Sequence, residues 1–146
     1  MRCASLDVGT RTIGVAVSDE QGIIAFGVDT IKRKGLKEDL ARLRELLDSL
    51  NIAQVVVGLP KNLKGEIGPQ GRIVLEFVEA MKREIPLPVI LWDERFSTVA
   101  VERVLLEADL SRKKRKRVKD KLAASLILQN YLDSQQQLKT EKKNGT

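Results

Sequence analysis

Apolar and polar residues alternate at the start of the chain, where Ile13, Val15 and Val17 stand against Gly14, Ala16 and Ser18. A period of two marks a strand with one face buried. Residues 2–8 read as a strand before it, ending in the turn Gly9-Thr10-Arg11-Thr12. After Asp19-Glu20-Gln21-Gly22 a third strand is expected over roughly 23–30, so the opening is an antiparallel meander. The period then changes. Leu36, Leu40, Leu43, Leu47 and Leu50 recur at helical spacing and predict an amphipathic helix over 36–50. Gln54-Val55-Val56-Val57-Gly58 is short and almost wholly apolar, as suits a central parallel strand covered on both faces.

A loop follows from Leu59 to Gly68, and Pro69 suits the first position of a second helix striped by Val74, Phe77, Val78 and Met81. Pro86 and Pro88 stop that helix and frame a fifth strand over 89–92. Val101, Val104, Leu105 and Ala108 predict a third helix, and a last one is expected over about 118–133. Residues 134–146 are polar and without period, which reads as a frayed, disordered tail behind a single domain over 1–133. The order β-β-β-α-β-α-β-α-α predicts an α/β fold. Its mixed five-stranded sheet joins an antiparallel meander to parallel crossovers, with helices on both faces.

Composition narrows the chemistry. The chain has 146 residues, 42% of them hydrophobic, enough for a packed core in one domain. No apolar run approaches the roughly 20 residues of a membrane span, and Met1-Arg2-Cys3-Ala4 runs directly into a strand without a signal peptide. Cys3 is the single cysteine, which precludes an intramolecular disulfide and fits a reducing cytoplasm. Histidine is absent, which excludes a Ser-His-Asp triad, a histidine base and histidine-ligated zinc. Catalysis would have to rest on carboxylates, Lys/Arg, hydroxyls or a bound metal.

Three acidic positions stand where apolar pattern meets a strand end or a helix face. Asp7 closes the first strand and shares its face with Cys3 and Ser5. Asp93-Glu94 closes the fifth strand, where sites gather in sheets with parallel strands. Asp120 shares a helix face with Ala123, Ala124 and Ile127, small and apolar residues that let a helix approach a sheet. Singly, each has a plain alternative, as a turn cap, a surface ion pair or a boundary residue. Together, converging carboxylates repel and raise one another's pKa unless cations neutralise them. Without histidine, and with oxygen donors only, the ion expected is Mg²⁺ or Mn²⁺.

The net charge of +6 is concentrated in Arg112-Lys113-Lys114-Arg115-Lys116-Arg117, more cations than nearby acids can pair. Such a run either stays solvated or meets a polyanion. Because it leads into the helix of Asp120, nucleic acid is the expected partner. Aromatics at 3% argue against base stacking as the main mode of recognition. The Gly58–Pro69 loop is expected to offer free backbone N–H groups to phosphate, or to be a plain connection.

Four segments then carry a resemblance. Leu6-Asp7-Val8-Gly9-Thr10-Arg11-Thr12-Ile13-Gly14-Val15-Ala16-Val17-Ser18-Asp19, Val57-Gly58-Leu59-Pro60, Asp93-Glu94-Arg95-Phe96-Ser97-Thr98 and Asp120-Lys121-Leu122-Ala123-Ala124-Ser125-Leu126-Ile127-Leu128 resemble, in order, the motifs of the YqgF family. The resemblance spans about 2–133 and implies a ribonuclease-H-like fold. It also implies processing of pre-16S rRNA in ribosome maturation, or junction-resolvase-like cleavage of DNA. Asp7, Glu94 in preference to Asp93, and Asp120 would then be the catalytic acids around one or two Mg²⁺ or Mn²⁺ ions. Arg11, Arg95 and the 112–117 run would hold phosphates, with structured RNA favoured over a DNA junction and the protein a monomer or homodimer.

One departure from junction resolvases stands out: the fourth strand ends Val57-Gly58-Leu59-Pro60 without an acid. Rival readings are an RNA-binding assembly factor with vestigial acids and an actin- or sugar-kinase-like ATPase, since Asp7-x-Gly9-Thr10 resembles the phosphate loop of the latter. Those ATPases need two such domains, and this chain has room for one.

Overall fold

The structure, a computed structural model, describes residues 1–94 and 112–144, without the side chains of residues 112–120, 143 and 144. The expected helix around Val101–Ala108 and the position of Arg95 lie outside the described residues. The strands are β1 (Cys3–Val8), β2 (Thr12–Ser18), β3 (Ala25–Lys32), β4 (Gln54–Leu59) and β5 (Val89–Asp93). The helices are α1 (Leu36–Ser49), α2 (Pro69–Glu84) and a long C-terminal α3 (Arg112–Asn144).

The strands form one five-stranded sheet in the order β3-β2-β1-β4-β5. β1–β2 and β2–β3 are antiparallel, whereas β1–β4 and β4–β5 are parallel. This is the mixed sheet the hydrophobic pattern predicts, and its parity explains the two faces. Ala4, Leu6, Val8, Ile13, Val15, Val17, Val55 and Val57 pack with the apolar stripes of α1 and α2. Cys3, Ala16 and Val56, displaced by one residue, pack with Ala124, Ile127, Leu128, Tyr131 and Leu132 of α3.

Three polar contacts seat α3 on the sheet. Ser5 Oγ donates to the Ala124 carbonyl at 2.6 Å. Gln54 Nε2 donates to Tyr131 Oη at 2.8 Å, and the Ala25 N–H donates to Gln129 Oε1 at 2.9 Å. Close approach is possible because the contacting residues are small. A Cβ on Gly27 would lie only 2.9 Å from Lys121 Cβ.

Three expectations need correction. β3 begins at Ala25, not at residue 23, because the Ile23 and Ile24 N–H groups both donate to Asp19 Oδ1, at 2.7 and 3.0 Å, and extend the turn. The basic run 112–117 lies within α3 and does not precede it. Residues 134–144 are helical as well, where the lack of apolar period suggested a disordered tail. Gln, Lys and Glu are good helix formers, so a helix can continue there without a stripe to bury.

Candidate active site

Asp7 occupies the α3 face of the central strand, two residues beyond Ser5. Its partner on β2 is Gly14. On the other side, Leu6 pairs with Val57, so the next position of β4 beside Asp7 is Gly58. Neither neighbour has a side chain to fill the space flanking the carboxylate. One row therefore crosses the whole sheet. It runs from Thr30 (paired with Gly14) through Gly14, Asp7 and Gly58 to Trp92 (paired with Gly58).

Glu94 enters this row from the end of β5. It is only 9% exposed, and its carboxylate lies over Gly58 where a Cβ would otherwise sit. That same Cβ would lie 2.6 Å from Ile127 Cδ1 of α3. The glycine thus opens a slot between sheet and helix that the acid fills. Asp93, by contrast, pairs with Leu59, a residue of the α1/α2 face, and its Oδ2 is 3.5 Å from Lys61 Nζ.

Residue 120 lies on α3 one turn before Ala124, which is bonded to Ser5. Towards its C-terminal end the helix reaches Tyr131, bonded to Gln54 at the level of Cys3. Traced the other way it leads from Ser5 towards the Asp7 end of β1. Ala123 and Ala124 are buried as their spacing predicts. The side chains of Asp120 and of residues 112–117 lie outside the description, as does Arg95. Among the described residues no three acidic or cysteine side chains form a metal-holding group. Asp7 and Glu94 contribute two hard oxygen donors to one face, and the glycine slot admits them. That donor set fits a hard divalent cation such as Mg²⁺ or Mn²⁺.

The β1–β2 turn that follows Asp7 is anchored from the other face. Gly9 N–H donates to the Thr12 carbonyl at 2.9 Å, and Arg33 Nη1 donates to the Gly9 carbonyl at 2.9 Å. Arg33 Nε also meets Asp39 Oδ2 at 3.1 Å, while its guanidinium stands 5.4 Å from the centroid of Phe77. Asp39 is 2% exposed and also accepts the Lys34 N–H at 2.9 Å. Arg11 is exposed on this turn, and its carbonyl accepts the Arg33 N–H at 2.8 Å. A shallow cleft of about 390 Å³ beside it is lined by Thr10, Arg33, Lys34, Gly35, Asp39 and Ile73.

For four of its N–H groups, the loop after β4 follows the second of its two expected readings, a plain connection. Asn62 Oδ1 accepts the N–H groups of Lys64 and Glu66, both at 2.9 Å. The Asn62 N–H donates to the Glu66 carbonyl at 3.0 Å, and the Gly65 N–H to the Asn62 carbonyl at 2.9 Å. These donors are consumed inside the loop and are not free for phosphate.

Sequence reasoning missed Gly14, Gly58 and the Arg33–Asp39 pair. Glycine inside a short apolar strand does signal close approach of another group, and Gly58 carried that signal. Arg33 and Asp39 carried none, since each looks like a surface charge near a helix start. Two buried side-chain atoms among the described residues lack a hydrogen-bond partner, Thr30 Oγ1 and Trp92 Nε1, and they stand at the two ends of the Asp7 row.

A mixed sheet in this order, with an acid on its central strand, has the ribonuclease-H-like architecture. Solved structures similar to it share that fold. Thermus thermophilus RuvC in complex with a Holliday junction substrate superposes with a TM-score of 0.54 at 18% identity, covering 87% of this chain and 91% of that one. The fowlpox virus Holliday junction resolvase gives 0.53 at 18% identity, covering 92% and 99%. The chain belongs to the RuvX family, described as Holliday junction resolvase, which matches residues 1–134. It is 56% identical over 136 residues to a protein of Thermoanaerobacter pseudethanolicus, covering 92% of this chain and 98% of that protein. A relative from Clostridioides difficile is 55% identical over 132 residues, covering 90% and 94%. Both carry the name "Putative pre-16S rRNA nuclease".

Proposed function

We propose that this protein is a divalent-metal-dependent nuclease that hydrolyses phosphodiester bonds of structured RNA, with a precursor of 16S rRNA as substrate. The observation that carries the reading is the placement of two acids on one sheet face, Asp7 beside Gly58 and the Glu94 carboxylate over that glycine. Asp7, Glu94 and Asp120 would hold Mg²⁺ or Mn²⁺, one ion or two, and Asp93 remains with Lys61. When bound, the ion supplies an activated water and neutralises charge on the scissile phosphate. The chain's own residues do the rest. The carboxylate oxygens of Asp7 and Glu94 fix the position of the reacting group, because one is carried by the central strand and the other is wedged between β4 and Ile127. Arg33 holds the Gly9 carbonyl and so keeps the turn bearing Arg11 in register with Asp7. Arg11, Arg95 and Arg112-Lys113-Lys114-Arg115-Lys116-Arg117 bind backbone phosphates. The 1–133 segment acts as one nuclease domain. A cytoplasmic location follows from an rRNA substrate, and no helix among the described residues is long and apolar enough to cross a membrane.

A second reading, cleavage of a four-way DNA junction, is favoured by one observation, the fold shared with resolvases of that substrate. The test is purified protein incubated with precursor rRNA and with a DNA junction, with and without Mg²⁺ or Mn²⁺, beside Asp7→Asn and Glu94→Gln. Metal-dependent cleavage of the RNA, lost in both variants, is the expected result. Undiminished cleavage by Asp7→Asn would overturn the site, and junction cleavage alone would select the second reading. RNA binding without cleavage in any metal would make the protein an assembly factor.

A further inference from the structure

The long helix α3 holds more than the whole net charge of the chain. It includes eleven Lys and Arg against three acids, Asp120, Asp133 and Glu141, while the rest of the chain has fifteen cations and seventeen acids. The cations are not spread evenly along it. Eight lie between residues 112 and 121, none between 122 and 138, and three follow at Lys139, Lys142 and Lys143. The neutral stretch is the part seated on the sheet, through Ala124, Ile127, Leu128, Tyr131 and Leu132. The distal cluster stands past that core contact and past residue 134, where the family match stops.

The helical repeat fixes how the two clusters relate. Lys139 follows Lys121 by 18 residues, five turns of the helix, so the two leave α3 along one line about 27 Å apart. Lys121 stands over Gly27 of the edge strand β3, and both lysines are exposed. Lys142 and Lys143 lie three and four residues beyond Lys139, which puts the three on one face, and Glu141, two residues on, falls off it. Neither Lys139 nor Lys142 forms an ion pair among the described residues.

We infer that the distal end of α3 is a second phosphate-binding point, which grips a duplex arm of structured RNA five helical turns from the basic run beside Asp120. The inference rests on the nucleic-acid reading above and deepens it: the substrate carries a duplex arm on the order of ten base pairs long next to the cut. Two cation clusters held apart by a rigid neutral rod match a polyanion that is itself stiff over that distance. A flexible single strand would have to be ordered to touch both ends, at a cost in entropy that a duplex has already met. The distal contact is to phosphate and positions the arm without reading its sequence. An acidic protein surface would suit the three lysines alone, but gives no reason for their alignment with the cations at the nuclease end. Lysines near a helix C-terminus also suit its dipole, a role without any dependence on RNA length.

The experiment measures binding, not cleavage, in EDTA. Fluorescence anisotropy across salt compares the full chain with a triple Lys139→Gln, Lys142→Gln, Lys143→Gln variant and with the corresponding triple Lys→Arg variant. Glutamine and arginine are helix formers like lysine, so both variants keep α3. Two RNAs share one single-stranded junction and differ in the duplex arm, about 5 base pairs in one and about 20 in the other, shorter and longer than the span of the helix. The glutamine variant should bind the long-arm RNA on the order of tenfold more weakly, with the slope of log affinity against log salt flattened by about 2 units. Its binding to the short-arm RNA should match the parent, and the arginine variant should match the parent on both. Unchanged affinity and slope on the long arm overturn the second contact and leave the nuclease reading standing. Equal losses on both arms also overturn it, since a contact five turns away cannot touch the short one. A change of oligomeric state in sedimentation with RNA affinity intact would assign this end of α3 to a second copy and overturn the proposal. A parent protein that binds neither RNA overturns it together with the reading it rests on.

Discussion

Replacing Gly58 by alanine tests the slot between sheet and helix. The added methyl would lie 2.6 Å from Ile127 Cδ1, 3.2 Å from Glu94 Cδ and in collision with the nearer Glu94 carboxylate oxygen. Two responses are possible, and both have a size. The Ile127 methyl can swing away with a strain of about 1–3 kcal/mol, the usual penalty for an extra methyl in a packed site. The Glu94 carboxylate has to leave its place above β4, and a displacement of about 1 Å in a catalytic group costs on the order of 100-fold in rate. The parent, Gly58→Ala, Ile127→Val and the double variant are compared in thermal melts and in metal-dependent cleavage of precursor rRNA. Gly58→Ala should melt lower and cleave at least about 100-fold more slowly. Adding Ile127→Val removes the methyl that clashes, so the double variant should regain part of its stability while cleavage stays lost. Full cleavage by Gly58→Ala, or recovery of cleavage in the double variant, would refute the argument that the glycine exists to seat Glu94.

Replacing Lys113, Lys114 and Lys116 with Gln should flatten the slope of log RNA affinity against log salt by about 2 units if all three touch phosphate, with little change in sequence preference; titrations across salt decide it. Asp39→Ala should cost about 2–4 kcal/mol in chemical denaturation, less than the full penalty of breaking a buried pair because Arg33 is partly exposed and keeps the Gly9 carbonyl. Thr30→Val removes a buried hydroxyl without a partner and should leave the melting temperature unchanged or raised, by up to about 1 kcal/mol in stability. Asp19 accepts the N–H groups of Ile24 and Ile23, which hold its carboxyl below the usual carboxylate range. Its contribution is therefore present above the unfolded value near 3.8 and lost as pH falls through the lower folded value. Melts of Asp19→Asn and parent should converge in strong acid and separate above roughly pH 4.

Period alone revealed the sheet. Ile13, Val15 and Val17 form one face of β2 in the core with α1 and α2, and Ala16 lies on the other, beneath α3. The apolar run of β4 predicted a central strand because it has helices on both sides. What the pattern failed to mark was governed by side chains that bond their own backbone. Asp19 captured the N–H groups of Ile23 and Ile24 and delayed β3, although both residues look like strand. Asn62 did the same for the loop after β4. The end of α3 escaped notice for the opposite reason: a helix of Gln, Lys and Glu beyond the core leaves no apolar stripe to read.

The candidate site was legible in its acids and illegible in its spaces. Asp7 and Glu94 could be named because carboxylates at strand ends are conspicuous, but the sequence offered no way to choose between Asp93 and Glu94 beyond resemblance. Parity offers a physical ground. Asp93 keeps the register of Leu59 and meets Lys61, whereas Glu94, one residue further, crosses to the α3 face where Asp7 stands. The missing acid at the end of β4 then takes on a different meaning. Val57-Gly58-Leu59-Pro60 looked like a strand that had lost a functional group, yet a side chain at residue 58 would occupy the space the Glu94 carboxylate now fills. An acid reaching sideways from the end of β5 needs a residue without a side chain beneath it, so the glycine and Glu94 form one device divided between two strands. A sequence read one residue at a time sees an absence in one motif and an acid in another. Only the lateral pairing of Gly58 with Trp92, two positions before Glu94, joins them.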